Sequence, residues 1–367
     1  MKPKLKLTGR FLLALFIALN SCKKECHISP TPSTSVTNDQ RLMPFGTLSI
    51  PRQYVCAATA GNKILFAGGA TQTQPSMIAS SRVDIYDTVT QSWSTAELSL
   101  PRAGLIATSL GSKIYFADGY INNSSRIDVY DASTNSWSTD ELSIGRSLLA
   151  VGGTANKIVF AGGIEPFGNE INILDIATNT WSTTILSEPR VNISATSLAS
   201  KIYFSGGSHY SGEISNNVDI YDASLNTWTA ITMSKPRTLH TSIAVDNKIF
   251  WAGGSSSYDS QGDYISNNSV EIYDLNTGSS ITHQLSHTPF YNAIINNKVI
   301  FFTAFDLSSY SLHIYDINTQ TWSVRNFSFS APAAINWHRS IIRLGNRFFL
   351  AEGFLETNSS RVWKLEF

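Results

Sequence analysis

The sequence predicts an all-β chain built from seven copies of one small antiparallel module, and three observations carry that prediction. The stretch "VDIYDTVTQSW" at 83–93 returns as "IDVYDASTNSW" at 127–137, "INILDIATNTW" at 171–181 and "VDIYDASLNTW" at 218–228, then more loosely as "VEIYDLNTGSS" from Val270 and "LHIYDINTQTW" from Leu312. Self-similarity at such a period marks a repeat architecture. Ser, Thr, Asn, Gly and aromatic residues are plentiful while only 15% of the chain is charged, a mixture suited to strands and turns. The register is also regular: Lys63, Lys113, Lys157, Lys201, Lys248 and Lys298 each open a short apolar run, as Arg347 does in the last copy.

The chain begins with Lys2, Lys4, Lys6 and Arg10, followed by the apolar run Phe11 to Leu19. A basic start and roughly ten apolar residues make a secretory signal, too short to span a bilayer as a mature helix. The next residues, Leu19-Asn20-Ser21-Cys22, resemble the lipobox of bacterial lipoproteins. That resemblance implies a leader over 1–21, acyl chains on Cys22 and stable anchoring by two or more of them. Lys23, Lys24 and Glu25 resemble a surface-export signal of some Gram-negative groups. The segment 22–40 is rich in Ser, Thr and Pro and reads as a flexible tether. Fully extended, its roughly 18 residues would reach about 60 Å.

Within each module four extended pieces follow one another. In the copy from Arg102 to Trp137 these are "GLIATSL", "KIYFADG", the alternating "RIDVYD" and a fourth piece beginning "SWSTDELS". Short strands separated by turn residues make one antiparallel sheet. The second strand ends in a double Gly at 68–69, 162–163, 206–207 and 253–254, where positive φ and close backbone approach are tolerated. Asp87, Asp131, Asp175, Asp222, Asp274 and Asp316 precede tight connections, where a carboxylate can accept backbone N–H groups. Trp93, Trp137, Trp181, Trp228 and Trp322 are apolar plates suited to the wedge between modules.

A four-stranded repeat with a double Gly, a spaced Tyr and a Trp six residues after an Asp resembles the kelch repeat, and the resemblance covers about 41–367. It implies a seven-bladed β-propeller like the central domain of galactose oxidase, with blades arranged radially so that few edges are exposed. The seventh copy stops after "RVWKLEF", without a fourth strand, while "FGTLSIPR" at 45–52 matches "WSTAELSLPR" and has no third strand before it. The early segment is therefore expected to complete the last blade, since a partly paired blade would leave unpaired edges.

The formal net charge is zero, so nothing favours nucleic acid, or a membrane except through the anchor. Cys22, Cys26 and Cys56 form no zinc-like or disulfide framework. Two features mark the face where the second-to-third and fourth-to-first connections gather. Arg52, Arg102, Arg146, Arg190 and Arg237 head the innermost strands. They either tie one blade to the next or converge to grip a carboxylate by forked hydrogen bonds. His287 and Asn336 interrupt the series. The second feature is the variable loops, among them "SHYSGEISNN" with Tyr210 and "SSSYDSQGDYISNN" with Tyr258 and Tyr264. Tyr, Ser, Gly and Asn suit adaptable recognition of a protein or a glycan. Asp259 and Asp263 do not match the EF-hand calcium loop.

Cys56 stands beside Ala57 and Ala58, with no His pair for copper, which argues against galactose-oxidase chemistry. A sialic-acid mutarotase on the same propeller is the alternative, needing an arginine for the carboxylate and an acid such as Glu165, Glu170 or Glu213. Binding is favoured over catalysis because it needs no such set. The expectation is a monomeric, cofactor-free binding module of the cell envelope, anchored through Cys22 to the outer membrane and recognising a protein or glycan.

Overall fold

The computed structural model describes residues 43–72, 76–119, 124–154, 156–164, 168–304, 309–328, 341–351 and 360–367. The leader, Cys22, the tether, Glu165 and Asn336 lie outside these residues. Among the described residues seven four-stranded antiparallel sheets account for the fold, six of them with their strands in chain order from the inside outward. Blade 1 runs through Cys56–Ala60, Lys63–Ala67, Arg82–Asp87 and Ser92–Glu97. Blades 2 to 6 repeat the pattern, with first strands at Ile106–Leu110, Ala150–Thr154, Ser194–Leu198, Thr241–Val245 and Pro289–Ile295.

Blade 7 has three strands of its own, Ile341–Leu344, Arg347–Ala351 and Arg361–Glu366, and borrows its fourth from the other end of the described chain. Met43–Thr47 pairs antiparallel with Arg361–Glu366, from Met43 opposite Lys364 to Thr47 opposite Arg361. The match extends one residue further. Leu48 N–H donates to Ser360 O at 2.7 Å, as Leu98 N–H donates to Ser81 O at 2.7 Å and Leu142 N–H to Ser125 O at 2.8 Å in complete blades. The expected closure by the early segment is present.

The core is divided among the blade junctions, one apolar cluster to each. Blades 1 and 2 share a cluster that includes Leu65, Ile85, Leu105 and Phe116. Corresponding clusters lie at the next five junctions around the ring. The ring closes on a seventh, where Phe349 and Val362 of blade 7 meet Ile64 and Phe66 of blade 1. Phe66, Phe116, Phe160 and Phe204 hold one register position in the second strands and are fully buried. Each such ring contributes roughly 2–3 kcal/mol of burial.

Those rings lie against the predicted tryptophans, with centroids 6.2 Å apart for Phe66 and Trp93 and 6.1 Å for Phe116 and Trp137. Blade 5 lacks a Trp after its Asp, since Ser280 stands there. Trp251, in the second strand, supplies the missing bulk, is fully buried and lies 5.6 Å from the Tyr273 ring.

The recurring aspartates act as the sequence suggests. Asp87 Oδ1 accepts the N–H groups of Val89 and Thr90 at 2.8 and 3.1 Å, and Asp274 Oδ1 those of Asn276 and Thr277 at 2.9 and 3.2 Å. Lys248 reaches Asp274 at 2.8 Å and holds its carboxyl below the usual range, helped by those amides. Lys63, Lys157 and Lys298 pair with Asp87, Asp175 and Asp316 in the same way.

Candidate functional site

Each of the five arginines sits on the linker that leaves one blade and enters the next. Arg190 donates through Nη1 to Gly206 O at 2.6 Å and Asn217 O at 3.0 Å, and its Nη2 meets the Asp219 carboxylate. Arg52 and Arg102 meet Asp84 and Asp128 in the same way. Arg146 bonds Asn172 Oδ1 at 2.5 Å, and Arg237 bonds Ser269 Oγ at 2.7 Å. The acid of the third strand also grips the linker backbone: Asp128 Oδ1 takes Ser99 N–H at 2.8 Å, and Glu271 Oε1, two residues beyond the Ser269 that holds Arg237, takes Ser234 N–H at 2.8 Å.

This arrangement corrects the reading of the arginines as ligand-facing. All five are at most 1% exposed, and their forked ends are occupied by carbonyls and side chains of the blade they enter. Burial lowers Arg52 and Arg146 to about 10. Both remain cations at neutral pH, and in blade 1 Asp84 is the counter-charge. A buried cation without such a partner would be costly. The arginines are blade ties.

The partner residues leave a trace in the sequence, although no motif marks them. An acid recurs in the middle of the apolar third strand of four blades, at Asp84, Asp128, Asp219 and Glu271, with Asn172 in blade 3 and His313 in blade 6. A charge at that position in a buried strand asks for a partner.

The tyrosines lie elsewhere, on the loop face over blades 4 and 5. The long loop of blade 5 folds into a hairpin, Ser255–Tyr258 paired with Tyr264–Ser266, which places Tyr258 directly opposite Tyr264. Their ring centroids are 4.8 Å apart. The turn between them is built by Asp259, whose Oδ1 accepts Gln261 and Asp263 N–H groups, both at 2.9 Å. Burial, then the hydrogen bond with Tyr264, pushes the Tyr258 phenol upward, and the hairpin is anchored at its base by Ser255, which exchanges backbone hydrogen bonds of 2.9 Å with Thr238 on the linker from blade 4. Both rings are half-buried, while Ile265 beside them is 47% exposed.

In blade 4, Tyr210 is 56% exposed at the tip of its loop. The loop is braced from below: His209 Nε2 lies 3.2 Å from Glu188 Oε2, and His209 N–H donates to Glu213 O at 2.8 Å. Glu213 itself is exposed, whereas Glu170 bonds Ser143. His240, three residues after Arg237, is a buried inner-strand group, with Nε2 3.0 Å from Ser205 Oγ. Burial and the neighbouring Arg237 and Arg190 lower it to about 3, which unsuits it to proton transfer near neutrality. Cys56 is buried.

The loops of two adjacent blades thus present an exposed Tyr210 and the Tyr258–Tyr264 pair, aromatic rings that carry hydroxyl groups. No curated protein matches this chain. A family model described as the KLHDC2/KLHL20/DRC7 Kelch-repeats domain matches residues 143–353, from the linker ahead of blade 3 to the end of the second strand of blade 7. The match spans more than half of the chain and falls on blades whose ties, turns and aromatic pairs repeat those outside it, so this protein belongs to the kelch-repeat family.

Proposed function

We propose that this propeller is a protein-interaction module whose partner docks on the loop face over blades 4 and 5, and that acyl chains on Cys22 hold it to the outer membrane. The observation that carries the docking site is the exposed Tyr210 and the paired rings of Tyr258 and Tyr264 on the long loops of two adjacent blades. Aromatic side chains on preorganised supports lose little freedom on binding and dominate recognition energetics. A glycan would use the same rings, and it is the other occupant to test. The mutarotase alternative loses its carboxylate holder, because the five arginines are buried in blade ties.

The experiment uses the protein anchored in its own envelope, crosslinked and recovered, beside Tyr258→Ala/Tyr264→Ala and Tyr210→Ala. The expected result is one recurrent partner whose capture falls about tenfold or more in the variants, with unchanged thermal midpoints. Equal capture by all forms would remove the site. A glycan array read with the same forms separates the two occupants, and Cys22→Ser should abolish labelling by a fatty-acid probe.

A further inference from the structure

Blade 6 departs from the tie used by blades 1 to 5. Pro289 stands where they have Arg, three residues after the linker Ser and with its carbonyl against Gly253 as Arg237 O is against Gly206, and His313 stands where they have Asp, Asn or Glu. His313 is 4% exposed and takes over the acceptor's task. Its Nε2 receives the Ser286 N–H at 3.3 Å and lies 2.8 Å from Ser286 Oγ. Ser286 is the linker residue equivalent to Ser99 and Ser187, whose N–H groups go to Asp128 and Asp219 at 2.8 and 3.2 Å. A carboxylate keeps its lone pairs at any pH above its own titration, whereas an imidazole nitrogen that accepts a hydrogen bond loses that ability when protonated.

The surroundings of His313 offer a proton's charge no compensation. In the sheet it lies between Phe301 and Val324. From the linker and from the outer strand of blade 5 come His287 and His283, the groups whose charge acts on it. His283 is stacked on Trp322, with centroids 4.0 Å apart and planes 5° from parallel. Nδ1 of His313 is buried without a hydrogen-bond partner among the described residues. Where blades 1, 2 and 4 place a cation against an anion, this junction gathers three imidazoles.

We propose that blade 6 carries an acid-operated latch: a proton taken up at His313 breaks its bond to the Ser286 backbone and opens the junction between blades 5 and 6. Burial, then His283 and His287, lower His313 to about 4, and burial lowers the other two imidazoles. A His held below its ordinary 6.5 in the closed state contributes stability that is complete above 6.5 and drains away as pH falls toward 4. The window is thus mildly acidic, and the carboxylate ties of blades 1 and 2 have no imidazole to titrate there.

Hydrogen exchange resolved by peptide, on the intact protein at pH 7 and pH 5, reads the latch directly. With His313 at about 4 when closed and 6.5 when open, its opening constant should rise about 20-fold between those pH values. The rise should appear in 279–295 and not in the first strands of blades 1 to 3. His313→Asn, which puts the residue of blade 3 (Asn172) in its place, keeps an uncharged acceptor for the Ser286 amide and should flatten the response. His313→Asp, the residue of blades 1, 2 and 4, does the same should the Asn variant fold poorly. Wild-type protection at 279–295 that is indifferent to pH, or an acid response that survives in a folded variant, overturns the proposal.

Discussion

A single acid in an apolar strand explains most of what the arginines do. Asp128 serves Arg102 and the Ser99 amide together, so removing it strands a buried cation and a backbone donor at once. Asp128→Ala is expected to cost about 3–5 kcal/mol. Asp128→Asn should cost clearly less, because Asn172 performs the same task for Arg146 in blade 3. Urea unfolding of the two variants checks the order; equal losses would show that acceptor geometry is not what the tie requires. Residue patterns show the arginine series but not its direction, because spacing alone cannot tell a side chain that faces a channel from one folded back into its own blade. Two residues beyond four of these arginines the chain turns left-handed at Tyr54, Leu148, Asn192 and Leu239, with φ from 55° to 59°. No Gly announces that kink at those positions, so it is invisible in the sequence.

At the scale of strands and their junctions, the double Gly is a matter of contact as much as conformation. A Cβ on Gly206, where φ is +57°, would lie 2.1 Å from Arg237 O, on the linker entering the next blade. Gly212 also has positive φ, at +94°, but a Cβ there meets nothing within 4 Å. Gly212→Ala should therefore cost only the left-handed penalty, about 1–2 kcal/mol. Gly206→Ala adds a backbone clash and should cost about 2 kcal/mol more. Thermal melts of the pair separate the two effects, and similar midpoints would mean that the blades can part slightly at no cost. The Trp251 exchange belongs to this scale too. Periodicity places a Trp wedge in five blades and none in blade 5, yet the space is filled from a different strand, because packing conserves volume at a junction and not the position that supplies it.

For the whole molecule, closure is decided by one strand of five residues, Met43–Thr47. It covers the edge of blade 7 and brings Phe45 against Tyr86, Phe349 and Trp93, so it ties the last blade to the first. A chain beginning at Leu48 should lose exchange protection first at Arg361–Glu366 and melt at a lower temperature, while blades 2 to 4 keep their protection. Full protection of Arg361–Glu366 in that chain would show that the ring does not depend on the strand. The proposed docking site over blades 4 and 5 also exists only at this scale, because Tyr210 and the Tyr258–Tyr264 pair are joined by neighbouring blades and not by sequence.

By itself the sequence determined the number of modules, their strands, their turns and the segment that closes the ring, since each depends on local periodicity and on the residues a turn requires. Only the tertiary structure decided that the arginines are ties, that Trp251 replaces an absent neighbour and that His313 stands in a carboxylate's place. Those outcomes depend on which side chains meet across a junction, and no spacing along one strand specifies its partner on the next.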